Sequence, residues 1–249
     1  MTKKKVTRVE SSETDVKNEK VFVPTDENKK KATTNRIIAA VLWAIAIGIE
    51  IFAILQLKKV PINLTLIIIL LVVDALFAIG GILLWKQSNR LDPASEKDKV
   101  RFFVQNQLGV IIAMIAFLPI IVLLLSNKDL DKKQKGIASG VAIVALAFVA
   151  AFGIDLNPAS IEKYTQETSL VESLMGENQV YWTKFGRVYH LYDDCYTINT
   201  DKTTEIFDGK VETAYAEKSI EEICKICLKK AQAGTTTASV DSGHEGHIH

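Results

Sequence analysis

The sequence predicts an α-helical membrane protein, with four transmembrane helices followed by a small α+β domain toward the C-terminus. Three observations lead there. Apolar residues are gathered into four long stretches between Ile37 and Ile154. Beyond Asp155 that character is lost, and Val180–Tyr192 reads as a β-hairpin. All three cysteines of the chain fall in the short window from His190 to Cys227. Averages hide this organisation: 249 residues with a net charge of +1 and 48% hydrophobic content would fit a globular protein of one or two domains.

Residues 1–35 carry almost no apolar run and many charges, including Lys3, Lys4, Lys5, Arg8, Lys29, Lys30 and Lys31. They read as a disordered, solvated basic tail. The tail lacks the short apolar core of a cleavable signal peptide. Its cations suit anionic lipid head groups, although a plain tail that sets topology is the simpler reading.

The membrane region is expected over residues 36–155, with spans at 37–57, 62–85, 102–125 and 137–154. Each is long enough, as a helix, to cross a hydrocarbon core about 30 Å thick. Trp85 suits an interface, Pro119 removes a backbone donor within the third span, and Gly80-Gly81 allows close helix contact. Basic residues near span ends set orientation. The N-terminal flank and the second loop (Lys86, Arg90, Lys97, Lys99, Arg101) are rich in them, whereas the first loop holds Lys58 and Lys59. The third loop, with Lys128, Lys132, Lys133 and Lys135, runs against the pattern. The balance places both termini in the cytoplasm of a multi-pass cell-membrane protein.

Two carboxylates, Glu50 and Asp74, fall inside the first and second spans. An ionisable group at such depth costs at least about 2.5–3.5 kcal/mol and is a functional hypothesis by default. Counted from the span ends, their depths differ by about 8 Å, which argues against a direct pair. A bland reading, in which each is protonated or hydrogen-bonded between helices, stands beside a cation-coupled path.

After the fourth span, Asn157-Pro158 breaks the helix, and residues 156–178 read as a connector with an amphipathic stretch from Ser160 to Met175. A zinc-binding domain is expected over 179–232. Val180–Thr183 and Val188–Tyr192 form a hairpin turning at Gly186, and Ser219 with Glu222 has capping-box spacing for a helix from Ile220 to Lys230. His190 and Cys195 leave the hairpin, while Cys224-Lys-Ile-Cys227 supplies a C-x-x-C pair. Two thiolate and imidazole pairs are what a tetrahedral zinc ion takes. Four protein ligands leave no open position, so the Zn2+ is read as structural rather than catalytic. Inert buried cysteines, or one disulfide with a free thiol, are the alternatives.

At these residues a resemblance enters. Val188-Tyr-His190, Cys195, Gly209-Lys-Val-Glu-Thr-Ala214 and Cys224-Lys-Ile-Cys227 resemble the metal-binding domain of the Ada DNA-repair protein and the small bacterial modules like it. The likeness covers about a fifth of the chain. In Ada the site has four cysteines, the first of which accepts a methyl group from DNA. His190 stands in that place here, one residue further from its partner, and offers no thiolate. The resemblance therefore implies a zinc-stabilised fold without methyl-acceptor chemistry.

Residues 233–249 are rich in Gly, Thr and Ser and read as a disordered tail ending in His244, His247 and His249, which suit loose metal binding. There is no phosphate-binding loop, nucleophile elbow or H-E-x-x-H, and no basic stripe that would suit nucleic acid. The sequence reading is a non-enzymatic membrane protein that presents a zinc-stabilised binding or assembly module. Its partners are membrane lipid and an unidentified protein, or a second copy in a homo-oligomer. The alternatives are a small transporter or channel subunit using Glu50 and Asp74, and a metal or redox sensor acting through the thiolates.

Overall fold

A computed structural model describes residues 6–8, 21–217, 220 and 222–241. They form two compact units: Asp26–Pro158, and a second unit made from the chain before Asp26 together with the chain after Pro158.

The first unit is four helices, α1 (Asp26–Gln56), α2 (Leu64–Leu91), α3 (Lys99–Ser126) and α4 (Lys132–Gly153). At 1.5 Å per residue they run from about 33 to about 46 Å, and each is long and apolar enough to cross a membrane. Their outer faces are apolar too. Ile37, Val41, Phe52, Ile69, Leu76, Leu118, Val122, Val144 and Phe148 are exposed, and only 28–39% of each apolar window is buried. Water would not tolerate that much exposed hydrocarbon, whereas acyl chains would. Four such helices support a membrane location.

Helix starts are set by short polar caps. Asn63, Asp98 and Asp131 each accept a backbone N–H of the first turn, and Asp131 with Gln134 completes a capping box. Contrary to the expectation of a disordered tail to residue 35, α1 already begins at Asp26. Asp26 and Glu27 face the positive end of the helix dipole, and Glu27 pairs with Lys31 one turn on at 2.8 Å.

Small residues let the helices approach. A methyl on Gly153 of α4 would lie 2.8 Å from Val110 N and 2.9 Å from Gly109 C in α3, so only a glycine fits. Between α1 and α2, the Trp43 indole covers Gly81 and donates to the Ala78 carbonyl at 3.3 Å. The end of the bundle that holds the start of α1 is tied by polar groups. Arg36 pairs with Asp92 at 2.7 Å, and Trp85 Nε1 and Asn89 Nδ2 both donate to the Gln105 carbonyl.

In the second unit, α5 (Ile161–Met175) starts at a Ser160 cap and ends at Gly176, whose φ of 82° favours glycine. Strands β2 (Val180–Thr183) and β3 (Val188–Tyr189) follow, then β4 (Ile206–Gly209), α6 (Val211–Glu217), β5 (Glu222–Ile223) and α7 (Lys225–Asp241). The expected hairpin forms: Tyr181 and His190 exchange backbone hydrogen bonds of 2.8 and 2.7 Å. Beyond it, β2 pairs antiparallel with β4, and β3 pairs parallel with β5.

Several boundaries differ from the sequence expectation. Val6–Arg8, within the supposed tail, form a strand, β1, parallel to β4. Further on, Phe22 docks against Tyr164 (centroids 4.9 Å apart) and donates its N–H to Thr165 Oγ1 at 3.0 Å. Phe22 packs against the core of this unit, while Val21 and Val23 stay exposed. Helix α5, expected as an amphipathic connector, packs into this unit: Tyr164 and Val171 are fully buried, Tyr164 stacks on Tyr215, and Tyr189 Oη donates to Glu167. Burial, then that hydrogen bond, holds the Tyr189 phenol well above its usual pKa range. The last helix starts at Lys225 rather than Ile220, because Glu222 and Ile223 serve the strand beside β3. It also continues through Asp241, past the expected end of order at residue 232. Ser219 and the three terminal histidines lie outside the described residues.

Candidate metal centre

Three elements bring the four expected ligands together. His190 ends the hairpin, immediately after β3, with its backbone held by Tyr181. Cys195 lies in a tight turn: its N–H donates to the Tyr192 carbonyl at 3.3 Å, and its own carbonyl accepts from Ile198 and Asn199. Cys224 sits between β5 and α7. Its N–H donates to Tyr189 O at 2.8 Å, and its carbonyl accepts from Leu228 as α7 begins. Cys227 is then in the first turn of α7, near the positive end of that helix.

The ligating atoms of His190, Cys195, Cys224 and Cys227 all lie within 4.8 Å of one another, and all four residues are buried. Ligands about 2.3 Å from a central ion in a tetrahedron stand about 3.8 Å apart. Cys227 Sγ and His190 Nδ1 are at 3.7 Å. None of the three cysteines is in a disulfide. These four side chains could hold a metal ion.

The electrostatics agree with that use. Burial pushes His190 down to about 4, so its imidazole is neutral near pH 7 and has a lone pair to give. Burial raises Cys227 to about 12. At Cys195 burial acts in the same sense, but hydrogen bonds from the Thr197 hydroxyl and backbone outweigh it, and the thiol lies below its usual value. Thiolates packed this closely repel one another, and a cation among them would offset that repulsion.

Thr197 was not singled out in the sequence. Its Oγ1 lies 3.2 Å from Cys195 Sγ, 3.5 Å from His190 Nδ1 and 3.9 Å from Cys224 Sγ. A hydroxyl there can donate to a thiolate and hold it in place. Only its position two residues after a ligand hinted at this. Thr197→Val keeps the shape and removes the donor. It is expected to weaken metal affinity about 10–100-fold in competition with a chromogenic chelator. Unchanged affinity would mean the hydroxyl plays no part.

The aromatic residues of the hairpin serve as packing. Trp182 and Tyr189 are fully buried, in one cluster with Leu191, Ile206 and all three cysteines. Glu50 and Asp74 are also buried, but within the helical unit. No family model matches the chain, and no curated protein or solved structure is significantly similar to it.

Proposed function

We propose that this chain is an integral membrane protein whose C-terminal unit is a small zinc-stabilised module of the Ada-like kind, used for binding or assembly at the membrane. The observation that carries the reading is the closed set of four buried ligands drawn from a hairpin, a turn and a helix start. Three thiolates and one imidazole match zinc in softness and number. Four protein ligands leave no position for a reactive water, which makes the ion a structural one and the module non-enzymatic.

Location follows from chain topology. The described residues before Asp26 and after Pro158 fall in one compact unit, which supports a topology with both of these segments on one side of the membrane. Four crossings return the chain to the side where it began, and the basic flanks make that side the cytoplasm of a cell membrane. There the thiols stay reduced and available to metal. A surface for a protein partner, or for a second copy, is offered by Phe185 (88% exposed) and Tyr196 (69% exposed). A transporter or channel subunit is the second reading, favoured by the burial of Glu50 and Asp74.

Cross-linking in intact membranes tests the assembly role. Lysine-reactive cross-links from the Lys184 region to a second copy or another protein are expected in the wild type and should be lost in Cys224→Ser. A wild-type protein that cross-links to nothing through its C-terminal unit would overturn the proposal.

A further inference from the structure

The buried faces of α1 and α2 meet along a seam of small and apolar residues, interrupted at one level. On α1 the seam runs Ala39, Trp43, Ala46, Glu50, Ala53, and on α2 it runs Ile67, Leu71, Asp74, Ala78. Trp43 lies over Gly81. Seven residues on from Trp43 is Glu50, and seven residues back from Gly81 is Asp74. In an antiparallel pair, two turns forward on one helix and two turns back on the other end at the same height. The carboxyls are therefore level, and Asp74 lies within electrostatic reach of Glu50. This corrects the expected offset of about 8 Å. On this register α2 starts roughly a turn beyond the end of α1, which takes up the difference.

Both groups are sealed in: Glu50 is 5% and Asp74 1% exposed. Both oxygens of Asp74 and Oε1 of Glu50 have no hydrogen-bond partner among the described residues. Nothing nearby neutralises the pair. The buried face of α3 there is Ala113, Ala116, Phe117 and Ile120, and that of α4 is Ala138, Ser139, Ala142 and Val149, with no titratable group. Lysines and arginines of the four helices stand only toward the helix ends, at Lys29–Lys31, Arg36, Lys86, Arg90, Lys99, Arg101 and Lys132–Lys135.

We propose that Glu50 and Asp74 form one proton-binding site inside the bundle, a carboxyl–carboxylate pair in which the protonated partner donates its O–H to the ionised one. Two bare carboxylates cannot share a seam lined by buried apolar side chains, and two neutral acids would leave acceptor capacity unmatched. A single proton removes one charge and supplies the missing donor. A calcium or magnesium ion takes six or more oxygen ligands, more than the two carboxyls provide. The site stands apart from the metal module and requires no transport activity.

The test treats full-length protein in detergent with dicyclohexylcarbodiimide, an apolar electrophile to which a protonated carboxyl adds (proton to nitrogen, oxygen to the central carbon), followed by peptide mass mapping. At pH 6 the wild type is expected to carry the adduct on Glu50 or Asp74, with labelling falling as the pH is raised. Asp74→Asn removes the like charge, so half-labelling of Glu50 should move about one unit lower in pH. The double variant Glu50→Gln/Asp74→Asn should take no label within α1 or α2. Three results would overturn the assignment. One is no adduct at either residue in the wild type. Another is a Glu50 profile unmoved by Asp74→Asn, which would mean two independent acids. The third is protection by sodium or potassium chloride but not choline chloride, which would make the occupant a metal ion.

Discussion

Full-length protein purified without chelator is expected to contain about one zinc ion per chain, and Cys224→Ser less than about a tenth of that. The size of the effect follows from where Cys224 sits. It supplies a ligand, its N–H ties β5 to Tyr189, and its carbonyl starts α7. Serine keeps the backbone roles and loses only the thiolate, so the variant isolates the metal. A structural zinc site contributes about 10–16 kcal/mol, comparable with the whole stability of a small domain at about 5–15 kcal/mol. The C-terminal unit of the variant should therefore become protease-sensitive between Ala159 and Ala231, while the four long helices keep their circular dichroism. Acid should act in the same direction. Burial lowers His190 from 6.5 to about 4 in the folded unit, so folding favours the neutral ring. That contribution is complete above the unfolded value and is lost as the pH falls from about 6.5 toward 4, when the imidazole takes a proton and ceases to be a ligand. Wild-type protein that is folded and holds no metal would overturn the zinc module.

Tyr164→Ala is expected to destabilise the same unit by about 3–5 kcal/mol, the usual cost of truncating a large buried aromatic. Tyr164 has no exposed surface and stacks on Tyr215, while Phe22 meets its edge. One ring thus joins α5, α6 and the segment that precedes α1. The readout is the temperature at which zinc is released to a chromogenic chelator, which should fall by many degrees although no ligand has been touched. Release at the wild-type temperature would mean that α5 is only a tether. The result also bears on how the module can be isolated, since a fragment starting at Gly176 lacks Tyr164 and Val171 from its core.

Several parts of this protein were legible in the residues alone. A helix that crosses lipid must satisfy its backbone internally and present hydrocarbon on most faces, so the four spans stand out as long, mainly apolar runs. Cysteine is rare and its thiolate suits few partners, so His190, Cys195, Cys224 and Cys227 could be named from spacing and then found within 4.8 Å of one another. The Val180–Tyr189 hairpin was readable because its turn is local. Contacts between distant segments were not. The pairing of Val6–Arg8 with β4, Phe22 on Tyr164, and Glu222–Ile223 beside β3 join segments whose composition does not name a partner. Thr197 is an ordinary residue until a turn aims its hydroxyl at two thiols. Whether Glu50 and Asp74 meet was likewise decided by the tertiary structure, because the Trp43–Gly81 contact sets the register of α1 against α2. Composition and local spacing determine which residues can bind a metal or cross a membrane. Register and long-range pairing depend on shape complementarity between surfaces that exist only once both have folded.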